Sequence, residues 1–445
     1  MSTLHSHDTQ DGYGSSAVAL VNARLIDPAT GLDSQGGLLI MDGTVADLGP
    51  DVTAHTVGEA EIIDCAGRVL APGLIDMMVF AGEPGLEHRE TLATASRAAA
   101  AGGVTTIVCM PNTEPVIDDV ALVDFILRRA RDTALVNVHP MAAMTKGLKG
   151  EEITEVGLLY EAGAIAFSNG KASIANSKVM RNVLAYAKDF GALIVHHLED
   201  ATLAPDGVMN EGEVATRLGL RGSPSTAETI MLERDIRLVE LTGGRYHAGQ
   251  ISCRASLDVI RATKERGLPV TCGVSINHLT LNENDIGPYR TFFKMKPPLR
   301  SEDDRRAMVE GVASGDIDVI VSAHDPRGAE GKRRPFAEAA DGAVGLETLL
   351  AAALRLYHNG DVELTRVLHA LSTAPAGLLG LGSGRLARGA PADLVLIDLT
   401  TPWTVEPEAL RSKSKNTPFD GARLEGHPLL TFVAGQLVYN YADQH

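Results

Sequence analysis

The stretch APGLIDMMVFAGEPG, residues 71–85, decides how the chain is read. Its centre, GLIDMMVF (73–80), is a short apolar run of strand length. Seven more such runs follow: VTTIVCMP (104–111), LVNVHPMA (135–142), AIAFS (164–168), ALIVHHLE (192–199), RYHAGQIS (245–252), LPVTCGVS (268–275) and IDVIVSAH (317–324). Between them lie helical patterns such as RETLATASRAAAAGG and SKVMRNVLAYAKDFG, each closing on the glycine expected just past a helix. Eight short strands alternating with helices predict an α/β protein, a parallel (β/α)8 barrel of the TIM type. Residues two apart on a strand share a face, so Met78 and Phe80 are expected to point together into the barrel.

The two ends read differently. AVALVNARLIDPATGLDSQGGLLIMDGTVADLG near the start, and GRLARGAPADLVLIDLTT with PLLTFVAGQLVYN near the end, are short strands punctuated by Gly, Asp and Pro turns. They are expected to form one small β domain built from both termini, residues 17–71 and 372–445, with the barrel at 72–371 inserted between them. Residues 1–16, MSTLHSHDTQDGYGSS, have neither the basic nor the apolar region of a signal peptide and read as a disordered polar tail.

Composition sets the outer bounds. The chain has 445 residues, 44% of them apolar, with mean hydropathy near zero, enough to bury a large core. No apolar run reaches the length of a membrane span. A net charge of −17, from 57 acidic and 40 basic residues, argues against nucleic acid or an anionic membrane as partner. The four cysteines, Cys65, Cys109, Cys253 and Cys272, stand apart in apolar, strand-like surroundings with no CxxC spacing. They read as buried reduced thiols of a cytoplasmic protein.

At this point eight motifs fall into a pattern. PGLIDMMVFAGEPG, RAAAAGGVTTIVCMPNTEPVID, VHHLED, RYHAGQIS, VTCGVSINHLTL, KMKPPLRSEDDR, GLET and NTPFDG occur in the order and approximate spacing of the dihydroorotase family, over residues 17 to 440. The resemblance implies a barrel of the amidohydrolase kind and a place in pyrimidine biosynthesis; it does not by itself imply activity.

Opening or closing a cyclic amide needs a nucleophile near neutral pH, and zinc supplies one by lowering the pKa of bound water from about 15.7 to about 7. Zinc takes Cys, His or carboxylate ligands. On the first strand, Met78 and Phe80 stand where the resemblance expects two histidines. After the fourth strand, Asn169 falls near the ligand position, and Lys171 in FSNGK can be proposed as a bridging lysine or read as a solvated loop lysine. His197 in VHHLED matches a ligand histidine and is the remnant of the set; His196 is expected to point away and to be packed or surface-facing. Gln250 replaces the next ligand, with His247 out of phase with it. Ala323 replaces the aspartate that serves as ligand and general base; Asp325 shares its face only if the strand continues, and the Asp-Pro step suggests a turn. The substrate-gripping positions read Gly82, Lys296 and Arg327 in place of arginine, asparagine and histidine. Asn112 in MPNT is kept, as a substrate contact or as an asparagine capping a turn.

With these departures no metal ligand set and no catalytic base are expected, and no cofactor. The resemblance then implies a non-catalytic relative: a structural subunit that pairs with the aspartate transcarbamoylase catalytic chain, as homo- or hetero-oligomer, and stabilises its assembled state by mass action. Two alternatives stay open. One is a hydrolase of altered ligands, zinc-dependent or using another metal, built on His197, His278, His324 and Asp325. The other is a small-molecule sensor using the barrel mouth. RGAEGKRRPFAEAADG (327–342) is expected to be a mobile loop over that mouth, its Lys332-Arg333-Arg334 run a solvated turn or a contact for an acidic partner.

Overall fold

The computed structural model describes residues 17–444, so the expected tail at 1–16 lies outside the described residues. The chain begins with β1 (Val18–Asp27), β2 (Leu32–Met41), β3 (Thr44–Gly49), β4 (Glu61–Asp64) and β5 (Val69–Pro72). β1 and β2 form an antiparallel pair from Asp27↔Leu32 to Val18↔Ile40, while β4 and β5 run parallel to β1.

The barrel strands are β6 (Leu74–Val79), β7 (Val104–Cys109), β8 (Asn137–Ala143), β9 (Ala166–Ser168) and β10 (Leu193–His196). After a short parallel pair, β11 (Met209–Asn210) with β12 (Gly222–Ser223), come β13 (Arg245–Ala248), β14 (Val270–Ser275) and β15 (Val319–Val321). All eight barrel strands run parallel in sequence order from β6 to β15. They shelter an inner cluster that includes Met78, Val108, Met141, Leu193, Val195 and Val319. The helix Ser177–Lys188 shows why the outer layer forms. Asn176 caps its start, accepting from the Lys178 amide at 2.9 Å, and Val179, Met180, Val183, Leu184 and Ala187 make one buried face at helical spacing.

The seam between the first and last barrel strands is closed by few contacts. Val79 and His324 form a single parallel bridge, and the Phe80 amide donates to the His324 carbonyl at 2.9 Å. Asp76, fully buried, adds a stitch: its carboxylate accepts from the Met78 amide (3.1 Å) and the Ser322 amide (3.3 Å). Burial pushes its pKa up against those donors.

The chain ends with β16 (Leu394–Thr404), β17 (Arg423–Val433) and β18 (Gln436–Asn440). β16 inserts between β5 and β17, antiparallel to both, so strands from both termini share one sheet with the order β18-β17-β16-β5-β1-β2-β3. This sheet is tied to the barrel by Asp393, whose carbonyl accepts from the Gly73 amide (2.8 Å) and whose carboxylate accepts from Asn137 Nδ2 (2.9 Å). Gly73 itself, between β5 and β6, is required by packing, because a Cβ there would stand 2.2 Å from the Thr105 side chain.

All four cysteines are buried. Only Cys109 and Cys272 lie in strands, however; Cys65 follows β4 and Cys253 precedes the helix Arg254–Glu265. Among the described residues no helix is long and apolar enough to cross a membrane.

Candidate active site at the barrel mouth

The C-terminal ends of the barrel strands bring together Met78, Phe80, Asn112, Lys171, His197, Gln250, His278, Lys296, His324 and Asp325 around one cavity of about 30 Å³. That is room for a water or two and not for a six-membered ring.

Each position vacated by the family's ligands has acquired another contact. Gln250 Nε2 lies 3.7 Å from Met78 Sδ. Phe80 presents its ring face to the Arg89 guanidinium, 3.8 Å from the centroid. Asn169, buried, exchanges hydrogen bonds with Thr145: its Oδ1 accepts from the Thr145 amide (3.1 Å) and its Nδ2 donates to Thr145 Oγ1 (2.8 Å). Ala323 lies past the end of β15 with φ +51°, a left-handed conformation that costs an alanine roughly 1 kcal/mol. At Gly82, φ is +73° and a Cβ would meet the Glu90 carbonyl oxygen at 2.2 Å. The clamp arginine is therefore missing together with the backbone that could carry any side chain there.

The charged residues are occupied with one another. Asp325, buried, accepts from Arg89 Nη2 (2.6 Å), Lys171 Nζ (2.5 Å) and Arg327 Nη2 (3.0 Å). Burial alone would raise its pKa, but Lys171 and Arg327 outweigh it and hold the carboxyl below its ordinary value. Lys171 and Arg327 also reach Asp341, each at 3.1 Å. The reading of Lys171 as a solvated loop lysine is thus corrected, because the buried carboxylates draw its ammonium into the mouth. Asp325 lies beyond the strand end, as the Asp-Pro step suggests, and faces the cavity as the centre of this cluster.

The segment 327–342 is latched down. Lys332 is 3% exposed, which corrects its reading as part of a solvated turn. Its ammonium donates to the backbone carbonyls of Thr291 (3.0 Å) and Lys294 (3.4 Å), and burial lowers its pKa to about 7. Lys294 Nζ returns a bond to the Ala337 carbonyl at 2.8 Å. Arg333 and Arg334 are exposed.

The histidines divide in two. His196 packs inside: Nδ1 lies 2.6 Å from Asp235, and Nε2 accepts from the Ile174 amide. His278 bonds Ser275 Oγ (3.2 Å) and the Pro298 carbonyl (3.1 Å), and burial pushes its pKa down to about 4. His324 Nδ1 accepts from the Gly345 amide at 3.2 Å, with Nε2 3.4 Å from Glu90. Like His324 Nε2, His197 Nε2 has no hydrogen-bond partner among the described residues, and the nearby Glu199 carboxylate stands off at 3.6 Å. Burial holds the imidazole below its ordinary pKa. Lys296, at the second clamp position, is drawn to Glu199 at 2.6 Å. Asn112 Oδ1 is likewise buried without a partner, so Asn112 does not act as a turn cap; Gly170 packs against it where a Cβ would come within 3.0 Å.

Glu199, Glu90 and Arg89 escaped the sequence reading. Only Glu199 carried a local signal, its spacing two residues beyond His197 in VHHLED.

The fit of a zinc ion can be judged on donor chemistry. Among the described residues no group of three or more His, Cys, Asp or Glu side chains could hold a metal ion. Met78, Phe80 and Ala323 offer no ligand atom that zinc takes, Asp325 and His278 are committed elsewhere, and the open nitrogens of His197 and His324 do not by themselves make a set of three ligands. The residues present do not fit the family's metal.

An eight-stranded parallel barrel with its site at the strand C-termini, flanked by a sheet from both chain ends, defines a protein of the amidohydrolase class. The model described as "Amidohydrolase family" matches residues 316–439. The L-hydantoinase of Arthrobacter aurescens superposes with a TM-score of 0.87 at 25% identity over 96% of both chains. The dihydropyrimidinase of Brevibacillus agri, at 22% identity and a TM-score of 0.82 over 95% of both chains, shares the fold.

Within that class the chain belongs to the dihydroorotase family. The model described as "Dihydro-orotase-like" matches residues 67–256. The dihydroorotase of Anaplasma phagocytophilum is 43% identical over 426 residues, 95% of each chain. That of Citrifermentans bemidjiense is 44% identical over 416 residues, 94% of this chain and 98% of its own.

These relatives overturn the expectation of a non-catalytic structural subunit of aspartate transcarbamoylase, a pseudoenzyme. Near-full-length kinship runs to proteins named as the enzyme. The physical reason the sequence misled is that losing ligands was equated with filling the mouth. The mouth instead keeps open polar atoms.

Proposed function

We propose that the chain is a dihydroorotase-type cyclic amidohydrolase with an altered site, acting on a ring amide at the barrel mouth. The observation that carries this reading is the pair of buried, open polar atoms, Asn112 Oδ1 and His197 Nε2, facing one cavity in a chain related to dihydroorotases along its length. Each unpartnered buried polar group costs roughly 1–3 kcal/mol. Two of them around one hollow favour a polar guest.

Asn112 Oδ1 accepts from a ring N–H. A water oxygen adds to the ring carbonyl carbon, its proton passes to His197 Nε2, the carbon–nitrogen bond breaks, and the proton is returned to the leaving nitrogen. Glu199, anchored by Lys296, stands 3.6 Å from the same nitrogen, where its negative charge favours the imidazolium that forms. The cavity as it stands holds water alone, so a ring enters only once the mouth widens. Zinc would supply the family's activated water; these residues do not hold it, so slow turnover is expected.

The test is conversion between dihydroorotate and carbamoyl aspartate by the purified chain, with and without added zinc, alongside thermal stabilisation by each compound. Turnover that Asn112→Ala and His197→Gln both abolish supports the reading. Stabilisation without turnover would overturn the hydrolase reading and leave a binding site; neither effect would overturn both.

A further inference from the structure

A second hollow lies away from the barrel mouth, where the end of β16, the outer strand β18 and the loop 405–411 meet the helix Leu92–Ala101. One lobe, of about 700 Å³, is walled by Trp403, Tyr439 and Tyr441. A second lobe, of about 370 Å³, shares Tyr439 and Arg411 with the first and adds Arg97 and Leu437. The volume falls in the range of small-molecule pockets, far above the room left at the mouth.

The walls are aromatic and the rings are held in place. Trp403 Nε1 donates to the Gly426 carbonyl at 3.0 Å, fixing the indole plane. Tyr441 stacks on His427 with ring centroids 4.1 Å apart. The Arg411 guanidinium lies over Tyr439, 5.1 Å from its centroid, and its Nη1 reaches the buried Glu347 carboxylate at 3.4 Å. Glu347 also accepts from the Arg411 and Ser412 amides, which orients the arginine while leaving most of its five donors unused. Arg97 projects from the helix into the same lobe, exposed and without an ion pair among the described residues. Of the lining acids, Glu406 and Asp443 are exposed, where salt screens them, and the third, Glu347, is turned to the Arg411 and Ser412 amides and the Arg411 guanidinium. Two guanidiniums beside fixed rings, in a chain of net charge −17, make a local arrangement that the overall charge would not lead one to expect.

We propose that this cleft binds a nucleotide-like ligand, a planar aromatic ring carrying a phosphate. The ring lies against the Trp403–Tyr439 wall and the phosphate is held by Arg97 and Arg411. Aromatic faces accept flat heterocycles by stacking, and arginine forks match phosphate oxygens two at a time. The site is separate from the mouth and does not depend on what the mouth does.

Trp403 is the single tryptophan of the chain, so its emission reports on this cleft alone. The experiment is a fluorescence titration of the full chain with AMP and UMP, with uridine and orthophosphate as partial ligands. Saturable quenching by a nucleotide is expected, with affinity about ten-fold weaker for the nucleoside and about ten-fold weaker in Arg97→Ala. Arg97 is exposed on its helix, so that variant should fold as the parent does, which circular dichroism checks. No saturable change with either nucleotide would overturn the proposal. Equal affinity for uridine and UMP, or an unaltered titration in Arg97→Ala, would overturn the phosphate assignment and the proposal with it.

Discussion

Met78 and Gln250 touch across the barrel mouth, and Phe80 carries Arg89 on its face. The vacated ligand positions are held by contacts that a histidine does not need. Because Met78, Phe80, His197 and Gln250 line one cavity, the triple change Met78→His, Phe80→His, Gln250→His should restore a nitrogen ligand set. The expected outcome is about one zinc per chain by elemental analysis, against much less in the parent. At the charge cluster, Lys171→Met leaves Asp325 with two arginines in place of three cations. Bonds to a buried charge are worth about 1.5–3 kcal/mol, and the partial exposure of Lys171 (26%) trims that. A loss of about 1–2 kcal/mol in urea unfolding is expected.

At the scale of elements, the 327–342 segment depends on pH through Lys332. Its pKa in the closed segment, about 7, lies below its ordinary 10.5, so the closed form binds the proton more weakly than the open form does. Closure therefore gains stability as pH rises from about 7 towards 10.5 and is indifferent to pH below about 7. Asp341 and Asp325 favour the ammonium, while burial, Lys171 and Arg327 oppose it. Tryptic nicking after the exposed Arg333, corrected against a reference peptide, should slow by up to about ten-fold per pH unit above about 7. Lys332→Met should remove that dependence. The β5–β6 junction offers a second test. Gly73→Ala puts a Cβ 2.2 Å from the Thr105 side chain, so the strands must separate. Overpacking of this kind costs about 1–3 kcal/mol, read as a lower denaturation midpoint.

At the scale of the whole molecule, β16 is the strand that joins the two ends, paired to β5 on one side and β17 on the other. Removing residues 386–445 strips β5 of that partner, exposes the apolar cluster around Leu20, Leu25 and Leu70, and deletes the Asp393 tie to the barrel. The truncated chain is expected to aggregate, with loss of the cooperative unfolding transition by circular dichroism. The same topology places the aromatic cleft at the join between sheet and barrel, where pockets commonly form.

Strand order and the alternation of strands with helices were legible in the sequence, because burial on both faces leaves continuous apolar runs whose order along the chain is their order around the barrel. The sequence by itself also determined that Met78, Phe80 and Ala323 offer zinc no ligand atom, since that is a property of side-chain chemistry and not of position. Only the tertiary structure decided what became of the mouth. Arg89 and Asp325 are 236 residues apart and Lys171 and Asp325 are 154 apart, and no local pattern records a pairing made across the barrel. Lys332 reads as one of three basic residues in a row, and packing alone separates it, buried, from its exposed neighbours. The same holds for Asn112 and His197. That they keep a polar atom open is a statement about what does not approach them, which is settled by the arrangement of every surrounding strand.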